Sequence, residues 1–154
     1  MNDTISNVLS KTIDSLRAFV ILNTELEADQ VFSVPYYGDN DKPFCSVVIP
    51  DWQRKDENTI EMSVIIDYQD FISSYDNSGN DLGDVMDAAQ NLQNIFDSRN
   101  NTRHFSNVIR GKCTPKGKIQ VFFTRKNKPF CQMEFKLEVQ SRQETLNEPL
   151  TAHI

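Results

Sequence analysis

An α+β fold follows from three features of this sequence: an antiparallel or mixed sheet of about four to five strands, with an N-terminal helix and a central crossover helix packed on it. The first feature is the stretch Asp81–Phe96. Its apolar residues Leu82, Val85, Met86, Ala89, Leu92, Ile95 and Phe96 recur at the i, i+3, i+4, i+7 spacing of a helix with one buried stripe. The second is Thr59–Phe71, where Ile60, Met62, Val64, Ile66 and Tyr68 alternate with Glu61, Ser63, Asp67 and Gln69. The third is a pair of alternating runs after the helix, Lys118–Thr124 and Phe130–Val139, joined by Arg125-Lys126-Asn127-Lys128. One helix between strands, with a hairpin to close, is the frame of the fold.

Taken in order, Thr4 caps a first helix whose apolar residues are Ile5, Val8, Leu9, Ile13, Leu16, Phe19 and Val20. Its opposite face carries Asn7, Lys11, Asp14 and Arg17, so the helix should lie on a surface. The pattern lapses from Asn23 to Lys42, where Pro35, Gly38 and Asp39-Asn40-Asp41 mark an irregular connection around a possible short strand at Val31–Val34. Pro43 to Pro50 reads as a compact strand bracketed by prolines, and Asp51–Asn58 as an eight-residue charged loop leading to the Thr59 strand. On the polar face of that second strand, Ile65 and Phe71 predict partial cover. Asp81 is the expected N-cap of the central helix, Asp84 puts a carboxylate in its first turn, and Arg99-Asn100-Asn101 closes it. A strand near Val108 and Ile109 is expected to end at Thr114-Pro115-Lys116-Gly117. The final hairpin points Cys131, Met133, Phe135, Leu137 and Val139 inward, and Gln132, Glu134, Lys136 and Glu138 outward. Lys42-Pro43-Phe44-Cys45 is echoed at Lys128-Pro129-Phe130-Cys131, which suggests two strand openings with similar local needs, neighbours in the sheet. Residues 141–154 are polar, contain Pro149 and show no period, so the domain is read as 1–140 with a polar tail.

Composition narrows the function classes. At 154 residues and 38% hydrophobic content the chain is expected to be one globular domain. No run approaches the ~18 apolar residues a membrane helix needs. No basic region precedes an apolar block at the start, so no secretory signal is expected. Cys45, Cys113 and Cys131 are odd in number and lack C-x-x-C spacing, the pattern of reduced, metal-free thiols. A net charge of −6 argues against a dedicated nucleic-acid binder, which needs clustered Lys and Arg.

Catalytic motifs are absent from the sequence. It contains no G-x-S-x-G elbow, Gly-rich phosphate loop or H-E-x-x-H. Its two histidines are His104, in a loop, and His153, next to the last residue. Asp76-Asn77-Ser78-Gly79-Asn80-Asp81 invites comparison with a calcium loop, but glycine stands fourth rather than sixth and the twelfth residue is Asp87. A turn leading into a helix explains it better. Trp52, the single tryptophan, either packs back on its hairpin or marks an interface, where tryptophan is enriched.

Read together, the order of elements resembles the tail terminator (neck, or head–tail joining) proteins of long-tailed bacteriophages. The resemblance rests on an N-terminal helix, a P-F-x-x-V strand at Pro43–Val47, and the alternating run Ser63–Tyr68. It continues with a D-L-x-D-x-M-D-x-x-x-x-L helix at Asp81–Leu92 and a closing hairpin, and covers roughly Ser6 to Gln140. It implies a non-enzymatic virion protein without cofactor, assembled in the bacterial host cytoplasm as a ring, hexameric in that family. That ring would contact the tail tube protein and the head connector, with DNA passing through unbound and no membrane involved. On that reading, interface residues are expected among Trp52, Arg54, Lys55, Arg125 and Lys126, and an acidic lumen among Asp76, Asp81, Asp84 and Asp87. The segments 23–42 and 141–154 have no counterpart in the family pattern. Another connector subunit, a small acidic immunity or adaptor module, and an enzyme with an unrecognised site are the alternatives; a monomer with one acidic patch would mark the module, and a pocket of perturbed ionisable groups the enzyme.

Overall fold

A computed structural model describes residues 4–36, 42–70, 80–97 and 111–140, the side chains at 80, 81 and 111 excepted. Helix α1 spans Ile5–Asn23, followed by a 3₁₀ turn at Ala28–Gln30 and a two-residue strand β1, Val31–Phe32. Strands β2 (Phe44–Asp56) and β3 (Thr59–Gln69) form the first hairpin, α2 spans Asn80–Phe96, and β4 (Gly111–Phe123) and β5 (Pro129–Gln140) form the second. The five strands make one mixed sheet in the order β1-β2-β3-β5-β4, with β1 parallel to β2 and every other pair antiparallel. The fold is α+β. Helix α2 therefore connects two parallel strands, β3 and β4, that β5 separates.

Local chemistry fixes the helix ends. Thr4 caps α1 by accepting from the Asn7 N–H at 3.2 Å. At the other end Asn23 Nδ2 donates to the Phe19 carbonyl and Thr24 Oγ1 to that of Val20, which satisfies two of the carbonyls a helix leaves open. The α1 stripe buries Val8, Thr12, Leu16, Phe19 and Val20 and leaves Lys11 and Asp14 exposed, as its surface position requires. Helix α2 buries Val85, Ala89, Leu92 and Phe96. It begins at Asn80, so Asp81 lies inside its first turn instead of preceding it as the cap. The expected closing residues Arg99-Asn100-Asn101, and Val108 and Ile109, lie outside the described residues.

Both helices cover the same face of the sheet. Phe19 of α1 meets Phe96 of α2 edge-on at 4.5 Å, and Phe96 meets Phe135 of β5 at 5.4 Å, a line of rings that ties helix to helix to sheet. Beneath them Ile60, Met62, Val64, Ile66 and Tyr68 of β3 alternate into the core with Cys131, Met133, Phe135, Leu137 and Val139 of β5. Each such large side chain contributes about 1.5–3 kcal/mol by leaving water.

Three expectations for the strands need correction. Prolines do not bracket the first long strand: β2 continues through Pro50 to Asp56. Its register slips between Val48 and Asp51, so Ile49 and Pro50 together face Val64. A bulge leaves its extra residue out of the ladder, and proline has no N–H to lose there. Most of Asp51–Asn58 is consequently strand, and the turn is only Glu57-Asn58, where Asp56 Oδ1 accepts from the Asn58 N–H at 2.8 Å. Likewise Thr114-Pro115-Lys116-Gly117 does not end a strand. It lies inside β4, where the register slips between Lys116 and Gln120 around Gly117 at φ +75°. Finally, the two Pro-Phe-Cys segments are not direct neighbours. They flank β3 symmetrically, with Cys45 and Cys131 both opposite Tyr68.

Candidate functional site

The end of the sheet where β2 and β5 begin is covered on both faces. Phe44 pairs with Gln69 in register, and Phe130 follows on the opposite side of β3. These residues point away from the helices, yet Phe44 and Gln69 are each 1% exposed. Cover comes from an aromatic row: Phe32 stacks on Tyr36 at 4.2 Å, Tyr36 meets Phe44 at 5.0 Å, Phe44 meets Phe130 at 5.5 Å, and Phe130 meets Phe122 at 5.9 Å. A glutamine amide fills each buried carbonyl at the strand starts. Gln30 Nε2 donates to Pro43 O at 3.0 Å and Gln69 Nε2 to Pro129 O at 2.9 Å, so neither is left unsatisfied. The partial cover expected from Ile65 is therefore real at this end, while Phe71 lies outside the described residues.

Elsewhere the helix-free face is solvated and laced with ion pairs. Lys136 bridges Glu61 at 3.2 Å and Glu138 at 3.5 Å, Lys55 reaches Glu138 at 3.4 Å, and Lys116 reaches Glu134 at 3.3 Å. The hydrogen bond from Lys136 holds Glu61 below the usual carboxylate range and raises Lys136 in return. Pairs this exposed contribute little to stability.

The two lateral edges differ from that face. Edge strand β4 presents Lys112, Lys116 and Lys118 to solvent and ends in Phe122 and Phe123, 41% and 53% exposed. At the other edge, around β1, Glu27 and Asp29 are exposed, Asp29 with Lys42 4.0 Å away, and Val34 is 60% exposed; Leu22, 81% exposed, stands in the last turn of α1. These apolar positions were not singled out from sequence. The adjacent pair Phe122-Phe123 held the signal, because neighbours on a strand point to opposite faces and one must leave the core.

No family model and no curated protein matches this chain.

The residues expected at an interface fall into two separated groups. Trp52, Arg54 and Lys55 lie on the outer half of β2, on a strand instead of the expected loop. Trp52 pairs with Met62 and is 44% exposed, so it does not pack away under its hairpin. Arg54 Nη1 donates to the Asp56 and Glu57 carbonyls and braces the turn. Arg125 and Lys126 belong to the β4–β5 turn at the opposite end of the sheet. That turn is closed by Thr124, whose Oγ1 accepts from the Lys128 N–H at 3.1 Å, and by Asn127 at φ 60°. Of the expected acidic lumen, Asp84 and Asp87 are exposed on α2. Asp76 and the side chain of Asp81 lie outside the described residues, as do His104 and His153.

Two of the clefts hold side chains that bear on chemistry. One, of about 330 Å³, is lined by Asn23, Thr24, Glu25, Tyr68, Asp70 and Asn91 among others. There Tyr68 Oη donates to Asp70 Oδ1 at 2.9 Å, and burial first, then the Asp70 charge, push the phenol well above its ordinary value. A phenol held protonated with its proton committed is a structural donor, unsuited to act as a base. The other, of about 340 Å³, lies between Asp51, Trp52, Gln53, Glu61 and Lys136, at the ion-paired face. Among the described residues no group of three or more His, Cys, Asp or Glu is arranged to hold a metal. Cys45, Cys113 and Cys131 are buried and form no disulfide. Burial raises all three thiols, that of Cys131 to about 11, so they are poor nucleophiles near neutral pH.

Proposed function

We propose that this protein is a structural subunit of a long-tailed bacteriophage, a tail terminator that assembles into a ring, hexameric in that family, which caps the tail tube and joins it to the head connector. One observation carries the reading: the sheet ends in two different lateral edges, each bearing apolar side chains in solvent, Phe122 and Phe123 on one and Val34 on the other. Contact between unlike edges is heterologous, and a heterologous contact forms a ring where its rotation closes on itself. The order of helix, strands, helix and hairpin that resembles the terminator family supports the same assignment. So does the acidic balance of −6, since a passage for DNA must not grip phosphate. Exposed Asp84 and Asp87 on α2 would repel DNA if that helix lines the axis.

In this role the partners are other copies of the chain, the tail tube protein and a connector protein, and the place of action is the neck of the virion. The test is made on particles. A phage lacking this protein is expected to build full heads that fail to join tails, with tails of irregular or excess length under the electron microscope. Normal joined virions would end the proposal; filled heads that leak DNA beside tails of correct length would reassign the chain to a connector subunit.

A further inference from the structure

A third cleft, at the β1 corner of the helix-free face, has no part in the ring contact. It holds about 340 Å³ and is lined by Asp29, Gln30, Phe32, Tyr36, Lys42 and Phe44 among others. That volume is within the range of small-ligand sites. Its walls are rings: Phe32 and Tyr36 stack at 4.2 Å, 9° from parallel, and Phe44 stands edge-on to Tyr36 at 5.0 Å. Phe32 and Tyr36 are only half-buried, so part of each ring is open to a further aromatic group. The Gln30 amide is already spent, with Nε2 donating to Pro43 O and Oε1 accepting from the Glu27 N–H, both at 3.0 Å. Two charged groups of opposite sign complete the lining. Asp29 Oδ2 and Lys42 Nζ lie 4.0 Å apart, on side chains 68% and 66% exposed.

We infer that this cleft binds a free aromatic α-amino acid, with its ring against Phe32, Tyr36 and Phe44, its ammonium on Asp29 and its carboxylate on Lys42. The rings select a planar apolar group, and the two charges select the rest. A zwitterion carries an ammonium and a carboxylate on one carbon, the complement of a carboxylate and an ammonium held 4.0 Å apart. An ion pair so long and so exposed contributes little, so exchanging it for one pair to each end of the ligand gives up little. A nucleotide fits less well, because its phosphate would meet one lysine with a carboxylate beside it. A divalent cation would find a single carboxylate in this lining. An aromatic side chain within a partner protein would use the rings and leave the charge pair unanswered, since its α-carbon bears no charge.

This inference goes beyond the ring reading and does not rest on it. The isotope-labelled full chain is titrated with L-phenylalanine to about 20 mM, enough to saturate a Kd of about 1 mM, the range open to so small a ligand. Saturating shifts of the Gln30, Phe32, Lys42 and Phe44 amides are expected, and the same with L-tyrosine. L-leucine, with the same charges and no ring, should bind at least tenfold more weakly. So should N-acetyl-L-phenylalanine amide, which keeps the ring and lacks both charges. Lys42→Met and Asp29→Asn are each expected to weaken L-phenylalanine at least tenfold while melting as the parent does. Three results overturn the inference: no saturable shift at these amides, L-leucine binding as well as L-phenylalanine, or charge variants that bind like the parent. An N-acetyl amide that binds as tightly as the free amino acid would assign the cleft to an aromatic side chain of a partner protein and overturn it too. Normal virions without the protein would remove the tail role and leave the cleft's ligand standing.

Discussion

The inner strands β3 and β5 and the outer strands β2 and β4 are built to different rules. β3 and β5 pair through ten consecutive positions, from Thr59 with Gln140 to Tyr68 with Cys131, without a slip. β2 slips twice against β3, and β4 slips between Lys116 and Gln120 against β5. The difference follows from neighbours. An inner strand must satisfy both rows of its amides and present every second side chain to the helices, so one inserted residue would turn its apolar set toward water. β4 has a partner on one side only, and β1 pairs with β2 only at Cys45 and Ser46, so most of β2 is also free on one side. Pro50 and Pro115 fit there because the missing N–H costs no ladder bond. Regularity belongs to the strands that carry the core, and irregularity to those with a side to spare.

Changes to the inner strands should produce the largest effects. Phe135→Ala, at a side chain with no exposure, is expected to destabilise by about 3–5 kcal/mol, read from the denaturant midpoint. Leu92→Ala, in the helix lying over those strands, should cost about 2–5 kcal/mol, and an unchanged melting curve would mean the helix does not press on them. An outer-strand change sharpens the contrast. Gly117→Ala meets no atom within 4 Å, so only its left-handed backbone at φ +75° resists, and about 1–2 kcal/mol is expected. A loss as large as that of Phe135→Ala would show the β4 bulge to be part of the core.

The smallest effect concerns Asp67, a carboxylate on an inner strand. Burial raises its pKa, and the hydrogen bond from Gln132 Nε2 at 3.0 Å opposes the rise. The folded state then holds the proton more tightly than the unfolded one. Its contribution to stability is therefore fully present below the ordinary carboxylate range and lost as pH rises through the raised value. Asp67→Asn keeps an acceptor for Gln132 and is expected to raise the melting temperature slightly at neutral pH but not in acid. An equal shift at both pH values would rule out ionisation as the cause.

The same contrast explains what the sequence disclosed. Ile60 to Tyr68 and Cys131 to Val139 could be placed on their correct faces from alternation alone, because both strands are constrained on two sides. The stripes of α1 and α2 were legible too, since each has a single face to bury, except that Met86, read as part of the α2 stripe, is 45% exposed at its margin. Pro50 and the Thr114–Gly117 run misled because a proline in a strand free on one side reads locally as a stop. Whether it stops the strand depends on which side of the ladder it faces, a tertiary fact. The candidate site was less visible still. Its charged residues could be counted along the chain, but only the strand order sets the run from Lys112 to Lys128 along an outer strand.

That strand order also bears on synthesis. β5, the last of the described strands, sits between β3 and β4, which share no register with each other. Until Pro129–Gln140 has been made, β3 has a partner on one side only, β4 has none, and α2 lies over a gap. A nascent chain cannot complete this sheet piece by piece as it emerges. Its core strands close together only when β5 arrives, so the lateral edges of the sheet take shape last and almost at once.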